Sequence, residues 1–178
     1  MKRIAMLAAL WLFFSLAAKG DENRCTDIGN YDFKNATLSV KDGIALGANP
    51  PDPETLPFKD GTCNLSDDPQ SVKPDWSYTI VSDFVMSPTR QSKVRIIRIY
   101  ENHLAGSGSW DRVMAFVCKG GALEKVWQHR FEEAVKLIRV NELQFKVKPL
   151  NAKPKPKGKN TEFGVYQWDN THRTFKRR

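Results

Sequence analysis

The chain has 178 residues, with 28 Lys and Arg against 20 Asp and Glu, and a formal net charge of +8. Hydrophobic residues make up 40% and charged residues 27%, which is ordinary for a folded domain and excludes a fully disordered chain. Three cysteines exclude a disulfide-dense mini-protein. At this length we expect one domain, or one domain with tails.

Residues 1–18 have the three parts of a secretory signal peptide. Lys2 and Arg3 give a positive start, Ile4–Leu16 is an apolar run, and small residues follow it near a cleavage point. The run is shorter than the about 20 apolar residues that a membrane-spanning helix needs. The sequence therefore predicts a cleaved leader, a secreted or periplasmic protein, and no stable membrane span.

Residues 19–75 form an acidic segment that is rich in Asp, Asn, Gly and Pro. Between residues 21 and 75 there are 11 acidic and 5 basic side chains. The prolines of Asn49–Pro53 favour extended backbone, because proline restricts its own φ angle and the residue before it. We expect loops that wrap around a core formed elsewhere in the chain.

The three cysteines allow one internal disulfide, in three possible pairings, with one thiol left over. Cys25 and Cys63 lie in polar, loop-like sequence, whereas Cys118 ends an apolar run typical of a buried strand. The sequence predicts a Cys25–Cys63 disulfide, with Cys63–Cys118 as the close alternative. There is no C-x-x-C pattern, so thioredoxin-like redox chemistry and cysteine-rich zinc sites have no support.

Residues 76–178 predict a basic, β-rich core. Three strand-like runs come first, at Tyr78–Met86, Val94–Tyr100 and Trp110–Cys118. The second of these runs alternates in a way that predicts one largely buried face. A Gly/Ser loop precedes the third run and a Gly-Gly turn follows it, which is the pattern of an antiparallel meander.

Residues 122–138 fit two structures. Apolar residues fall at helical spacing, but the position directly after the Gly-Gly turn also suits the return strand of a hairpin. Residues 141–147 predict a strand, 152–160 a basic Lys/Pro linker or exposed loop, and Phe163–Phe175 a final hairpin.

These patterns predict a mainly β or α+β fold, as a single antiparallel sheet or meander domain with at most one helix near 122–138. The core is expected to come from residues 76–175. The large apolar residues proposed for it are Trp76, Phe84, Ile96, Trp110, Phe116, Trp127, Phe145 and Trp168.

The most distinctive motif is the GSGS loop of residues 106–109. It is neither a Gly-x-Ser-x-Gly nucleophile elbow nor a phosphate-binding Walker loop. A hydrolase that uses His103 with Ser107 or Ser109 stays open as an alternative function, although the orienting acid and the oxyanion hole are not visible in the sequence. Another alternative is a structural or inhibitory protein whose GSGSW segment acts on a second exported protein.

Metal ligands do not cluster along the sequence. The three histidines lie far apart, and the acidic pairs lack the spacing of a calcium loop. No metal site and no cofactor is predicted.

The C-terminal half is strongly basic, with 20 basic and 9 acidic side chains between residues 76 and 178. Aromatic residues lie among these cations, and such a mixture can hold a polyanion. We therefore expect an exported, non-catalytic binding or accessory protein that contacts an anionic partner or another exported protein. The residues predicted to contact the anionic partner are Lys153, Lys155, Lys157, Lys159 and Arg173.

The order of strand, Gly/Ser loop, Trp, strand, Gly-rich turn and strand from Val94 to Trp127 is a recurrent one. The segment Tyr166–Asp169 matches a Tyr-x-Trp-Asp hairpin that often ends such proteins. In these features the chain resembles small exported bacterial proteins of unknown function. The resemblance implies a hairpin at 122–131 and no particular activity. The acidic calcium-type repeats of some relatives are missing here, so it implies no metal.

Overall fold

The computed structural model describes residues 24–40, 53–68, 70–104, 106, 108–150 and 163–178. Regular structure within these residues is β, apart from one short 3₁₀ turn at Phe33–Asn35. The predicted mainly β, antiparallel fold is confirmed. The strands are β1 (Thr37–Ser39), β2 (Thr55–Pro57), β3 (Thr62–Leu65), β4 (Trp76–Thr89), β5 (Ser92–His103), β6 (Gly108–Lys119), β7 (Ala122–Phe131), β8 (Val135–Arg139), β9 (Gln144–Pro149), β10 (Gly164–Asp169) and β11 (Thr174–Arg177).

The described strands form three antiparallel sheets, so of the two predicted arrangements the meander domain forms and the single sheet does not. Strands β3 to β7 form a central five-stranded sheet in sequence order, and β8 to β11 form a four-stranded C-terminal sheet, also in sequence order. Strands β1 and β2 pair as a separate ribbon. Because each strand pairs with its neighbour along the chain, both larger sheets are meanders.

Residues 122–131 are strand β7, so the hairpin is correct and no helix forms there. Gly120 and Gly121 have φ angles of 61° and 83°, the left-handed conformations that a two-residue hairpin turn needs. The chain therefore returns at once along β6, with Lys119 opposite Ala122. Backbone pairing along β6 outweighs the helical spacing of the apolar side chains.

Strand β5, in the middle of the central sheet, is buried on both faces, which corrects the prediction of one buried face. Val94 and Ile96 point into the core shared with the C-terminal sheet, whereas Ile97 and Ile99 point into a second core under the N-terminal segment. We call these two sides of the central sheet the C-terminal face and the N-terminal face. The molecule thus has three layers.

The N-terminal segment is itself one of these layers. Leu38 and Leu56 face each other across the ribbon of β1 and β2, and neither side chain is exposed. The expectation of a core drawn from residues 76–175 is therefore too narrow. The buried members from the N-terminal segment are Cys25, Ile28, Phe33, Ala36, Leu38, Val40, Leu56, Phe58 and Cys63.

The disulfide joins Cys25 to Cys118, and neither predicted pairing forms. The Cα atoms of these two residues are 5.3 Å apart. The Cys25 amide donates to the Gly121 carbonyl at 2.8 Å, which places Cys25 beside the end of β6. Cys63 lies instead on the edge strand β3, as a buried free thiol whose pKa burial raises to about 11.

The core candidates divide into two groups. Four are buried, namely Ile96, Phe116, Phe145 and Trp168. The other four, Trp76, Phe84, Trp110 and Trp127, are only partly buried.

No helix in the described part of the chain is long and apolar enough to cross a membrane. The predicted leader at 1–18 and the Lys/Pro loop at 152–160 lie outside the described residues.

Candidate anion-binding site

A groove of about 410 Å³ lies where the turn between β4 and β5 meets the start of the N-terminal segment and the turn between β10 and β11. We call it the basic groove. Its lining residues are Thr26, Asp27, Ile28, Arg90, Gln91, Ser92, Lys93, Val117, Cys118 and Arg173.

The turn between β4 and β5 places two cations in the groove. Thr89 lies opposite Ser92, and their hydroxyl groups are hydrogen-bonded at 2.6 Å. The Thr89 hydroxyl also accepts from the Ser92 amide at 3.0 Å, so side chains close the turn. Arg90 is exposed in this turn, and Lys93 follows it at the start of β5.

The turn between β10 and β11 supplies Arg173. The Asp169 carboxylate organises this turn by accepting from the Thr171 amide at 2.9 Å and from the Lys176 ammonium at 2.6 Å. The hydrogen bonds from Lys176 and from the His172 side chain hold the Asp169 pKa well below its usual range. Arg173 is exposed and has a φ of 51°, a left-handed conformation that is uncommon for a residue other than glycine.

The N-terminal wall of the groove is anchored by Arg95. One guanidinium nitrogen, Nη1, donates to the carbonyl oxygens of Gly29 at 2.9 Å and Tyr31 at 3.0 Å. The same side chain pairs with the Asp83 carboxylate. Together with the Cys25–Cys118 disulfide, these contacts hold the backbone around Asp27 against the central sheet.

Positive charge exceeds negative charge in the basic groove. Three cations, Arg90, Lys93 and Arg173, face one carboxylate, that of Asp27. The Gly29 amide and then Lys93 lower the pKa of Asp27, so this carboxylate stays ionised at neutral pH. Lys93 Nζ lies 3.3 Å from Asp27 Oδ1. Arg90 and Arg173 have no ion-pair partner among the residues that the structure describes.

This arrangement suits an oxyanion. An arginine guanidinium presents planar N–H donors that match phosphate, sulfate or carboxylate oxygens two at a time. The Ser92 hydroxyl and the Gln91 amide group add neutral donors on the same wall. Because the groove is open, it can hold one unit of a longer polyanion while the rest stays in solvent.

Of the predicted anion contacts, Arg173 lines the basic groove, whereas Lys153, Lys155, Lys157 and Lys159 lie outside the described residues. Sequence reasoning missed Arg90 and Lys93. They stand far from Arg173 in the chain, and only the stacking of the sheets brings them to the same groove. The polar stretch Thr89–Ser92 between two predicted strands was the available signal.

Of the residues proposed for the alternative hydrolase, His103 and Ser109 do not come together. The His103 ring stacks on Trp76, with ring centroids 4.4 Å apart, on the N-terminal face. Ser109 lies opposite Asn102, and strand alternation places its side chain on the other face of the sheet. Ser107 lies outside the described residues. Within the described part of the chain, no three His, Cys, Asp or Glu side chains are grouped as metal ligands.

Comparison with protein-family models, with curated proteins and with solved structures finds no match to this chain. The resemblance to small exported bacterial proteins therefore stays an expectation. The residues and charges of the basic groove are the basis for assigning a function.

Proposed function

We propose that this protein is an exported, non-catalytic binding or accessory protein that holds an anionic partner through its basic C-terminal half. The basic groove is the contact site, and Arg90, Lys93 and Arg173 are the cations that bind. One observation carries the proposal. Arginines from two separate turns, β4–β5 and β10–β11, line one open groove without a carboxylate partner among the described residues.

Electrostatics favours a polyanion over a small anion. An exposed cation contributes little by itself, because water and salt screen it. Several cations that act together on one chain of charges release condensed counterions, and this release gives useful affinity. The predicted contacts Lys153, Lys155, Lys157 and Lys159 belong to the same basic half and would extend such a surface.

Two features support export. The leader-like residues 1–18 predict it, and a disulfide such as Cys25–Cys118 persists in oxidising compartments. A cell-envelope or extracellular location would present the protein with polyanions such as phosphate-containing or uronate-containing polymers.

Inorganic polyphosphate, titrated at several salt concentrations, tests the groove. The variant Arg90→Ala/Lys93→Ala/Arg173→Ala is expected to bind at least about tenfold more weakly at low salt, with a shallower dependence of affinity on salt. The matched control is Lys59→Ala/Lys73→Ala/Lys136→Ala, which removes three exposed cations elsewhere and should stay close to wild type.

Equal losses of affinity in the two triple variants would show that only overall charge matters. They would contradict the assignment of the basic groove as the binding site. A second arm uses Lys153→Ala/Lys155→Ala/Lys157→Ala/Lys159→Ala. Wild-type binding by this variant would remove these lysines from the proposed surface. Loss of binding in this variant would support their predicted role.

A further inference from the structure

Three aromatic side chains form a partly exposed cluster at the other end of the β4–β5 hairpin. Trp76 on β4 lies opposite His103 on β5, and Trp110 follows on β6. We call this set the aromatic platform. The hairpin turn that carries Arg90 is at the far end of the same two strands, so the platform is separate from the basic groove.

The Trp76 ring stacks on His103 and is tilted against Trp110. The centroid of Trp76 is 4.4 Å from that of His103 and 5.7 Å from that of Trp110. The glycines of the GSGS motif make room for two of these rings. A Cβ atom at Gly106 would collide with the His103 ring, and one at Gly108 would collide with the outer edge of Trp110.

Polar groups of both kinds border the rings. The Trp76 indole N–H donates to Asp67 Oδ1 at 3.2 Å, so a carboxylate acceptor lies at one side. The Arg130 guanidinium lies 4.7 Å from the centroid of Trp110 at the other side. Arg130 Nε forms an ion pair with Glu101 Oε2 at 2.9 Å, which keeps the guanidinium next to Trp110.

The charge around the platform argues against a polyanion. Asp67 and Asp68 are exposed beside it, and Asp75 lies close to His103. The Asp67 amide and the Ser66 hydroxyl donate to Asp75 and lower its pKa, so this carboxylate is ionised at neutral pH. A chain of phosphates would meet these three negative charges, whereas a neutral ligand would not.

We propose that the aromatic platform binds a ring of a neutral saccharide. A sugar ring has an apolar C–H face that packs on an aromatic face, and its hydroxyl groups need donors and acceptors together. The indole rings supply the aromatic face, Arg130 supplies a hydrogen-bond donor and Asp67 supplies an acceptor. This site does not depend on the basic groove, so either proposal can fail while the other stands.

Neutral oligosaccharides test the proposal directly. The full protein is titrated with cellopentaose, chitopentaose, maltopentaose and xylopentaose up to about 10 mM, followed by tryptophan fluorescence and by calorimetry. We expect at least one of them to bind and to shift the tryptophan emission. Trp110→Ala should weaken that binding about tenfold or more, because it removes a stacking surface.

Two further variants separate loss of the site from loss of the fold. Gly108→Ala keeps every platform residue but displaces the Trp110 ring, and it should weaken binding while the circular dichroism spectrum stays unchanged. Trp110→Phe keeps a ring and should restore part of the affinity. Arg90→Ala/Lys93→Ala is the matched control and should bind saccharide as the wild type does.

Any one of the following results would overturn the proposal. They are absence of binding by all four oligosaccharides, binding that survives both Trp110→Ala and Gly108→Ala, and loss of polyphosphate binding in these variants. Binding of an apolar peptide at the platform, with no saccharide bound, would likewise replace the sugar by a protein partner.

Discussion

At the scale of single residues, the most consequential group is a buried ion network on the N-terminal face. Glu101 is fully buried, and its carboxylate pairs with Arg112 and Arg130. The Val40 carbonyl accepts from Arg112 at 3.4 Å and from Gln128 at 3.0 Å, so the network also meets the N-terminal segment. Burying a charge is costly unless partners compensate it, and here Arg112 donates a hydrogen bond to Glu101 while Arg130 adds an ion pair.

The substitution Glu101→Gln should destabilise the protein by about 3–5 kcal/mol, because it leaves Arg112 buried without a compensating negative charge. Urea unfolding followed by circular dichroism measures the loss. The control is Glu124→Gln, since Glu124 makes an exposed pair with Lys119 at 3.2 Å and should cost about 0–1 kcal/mol. Similar small losses in both variants would mean that the buried network does not stabilise the fold.

At the scale of elements, a polar contact around Val135 joins the central and C-terminal sheets in addition to their shared core. Asp111 on β6 accepts from the amide of Val135, the first residue of β8, and Arg98 on β5 donates to the Val135 carbonyl. Burial raises the pKa of Asp111, while the Val135 amide and Arg98 oppose this rise. The contacts of Asp169 organise a different part of the C-terminal sheet, the turn between β10 and β11.

The Asp169 turn should make stability sensitive to acid. The folded-state pKa of Asp169 lies below its usual value of 3.8, so its contribution is present above pH 3.8 and is lost as the pH falls below it. Asp169→Asn should lower the melting temperature at neutral pH. It should also weaken the decrease of the melting temperature between pH about 5 and about 2. Melting curves across this range check the prediction.

Glu132→Gln removes an exposed carboxylate after β7 and should keep the acid dependence of the wild type. If the melting temperature of Asp169→Asn decreases at acid pH as steeply as that of the wild type, the Asp169 turn does not cause the acid sensitivity.

At the scale of the whole molecule, a disulfide between residues far apart in the chain links the N-terminal layer to the central sheet. The disulfide closes a sequence separation of 93 residues and ties the N-terminal layer to the end of β6. Arg95 contributes a second attachment through the Gly29 and Tyr31 carbonyl groups. Strand β5 belongs to both cores, so the layers should unfold together.

Removing this disulfide with Cys25→Ser/Cys118→Ser should cost about 4–5 kcal/mol, the value of the loop-entropy model for a loop of this size. Chemical unfolding under oxidising conditions measures the loss. Cys63→Ala is the control, because it keeps the disulfide and should cost less. Peptide mapping without reductant should find Cys25 linked to Cys118, and a Cys25–Cys63 peptide would contradict the structure.

Much of the strand order could be predicted from the sequence, because the two strands of a hairpin are adjacent in the chain. The Gly120-Gly121 turn joins two apolar runs, and the alternation around Phe145 and Trp168 marks strands whose partners are close in the chain. What it misjudged was the N-terminal segment. Turn-rich composition there predicted loops around a core formed elsewhere, whereas Leu38, Leu56 and other apolar residues of the segment form one side of the core themselves.

By itself, then, the sequence determined the β character, the hairpin order and the basic charge of the C-terminal half. Only the tertiary structure decided that Cys25 meets Cys118, that β5 is buried on both faces, and that Arg173 shares a groove with Arg90. Backbone pairing between adjacent strands follows from local turns and period-two alternation. The stacking of one layer on another is set instead by side-chain packing between residues far apart in the chain, and no local pattern records it.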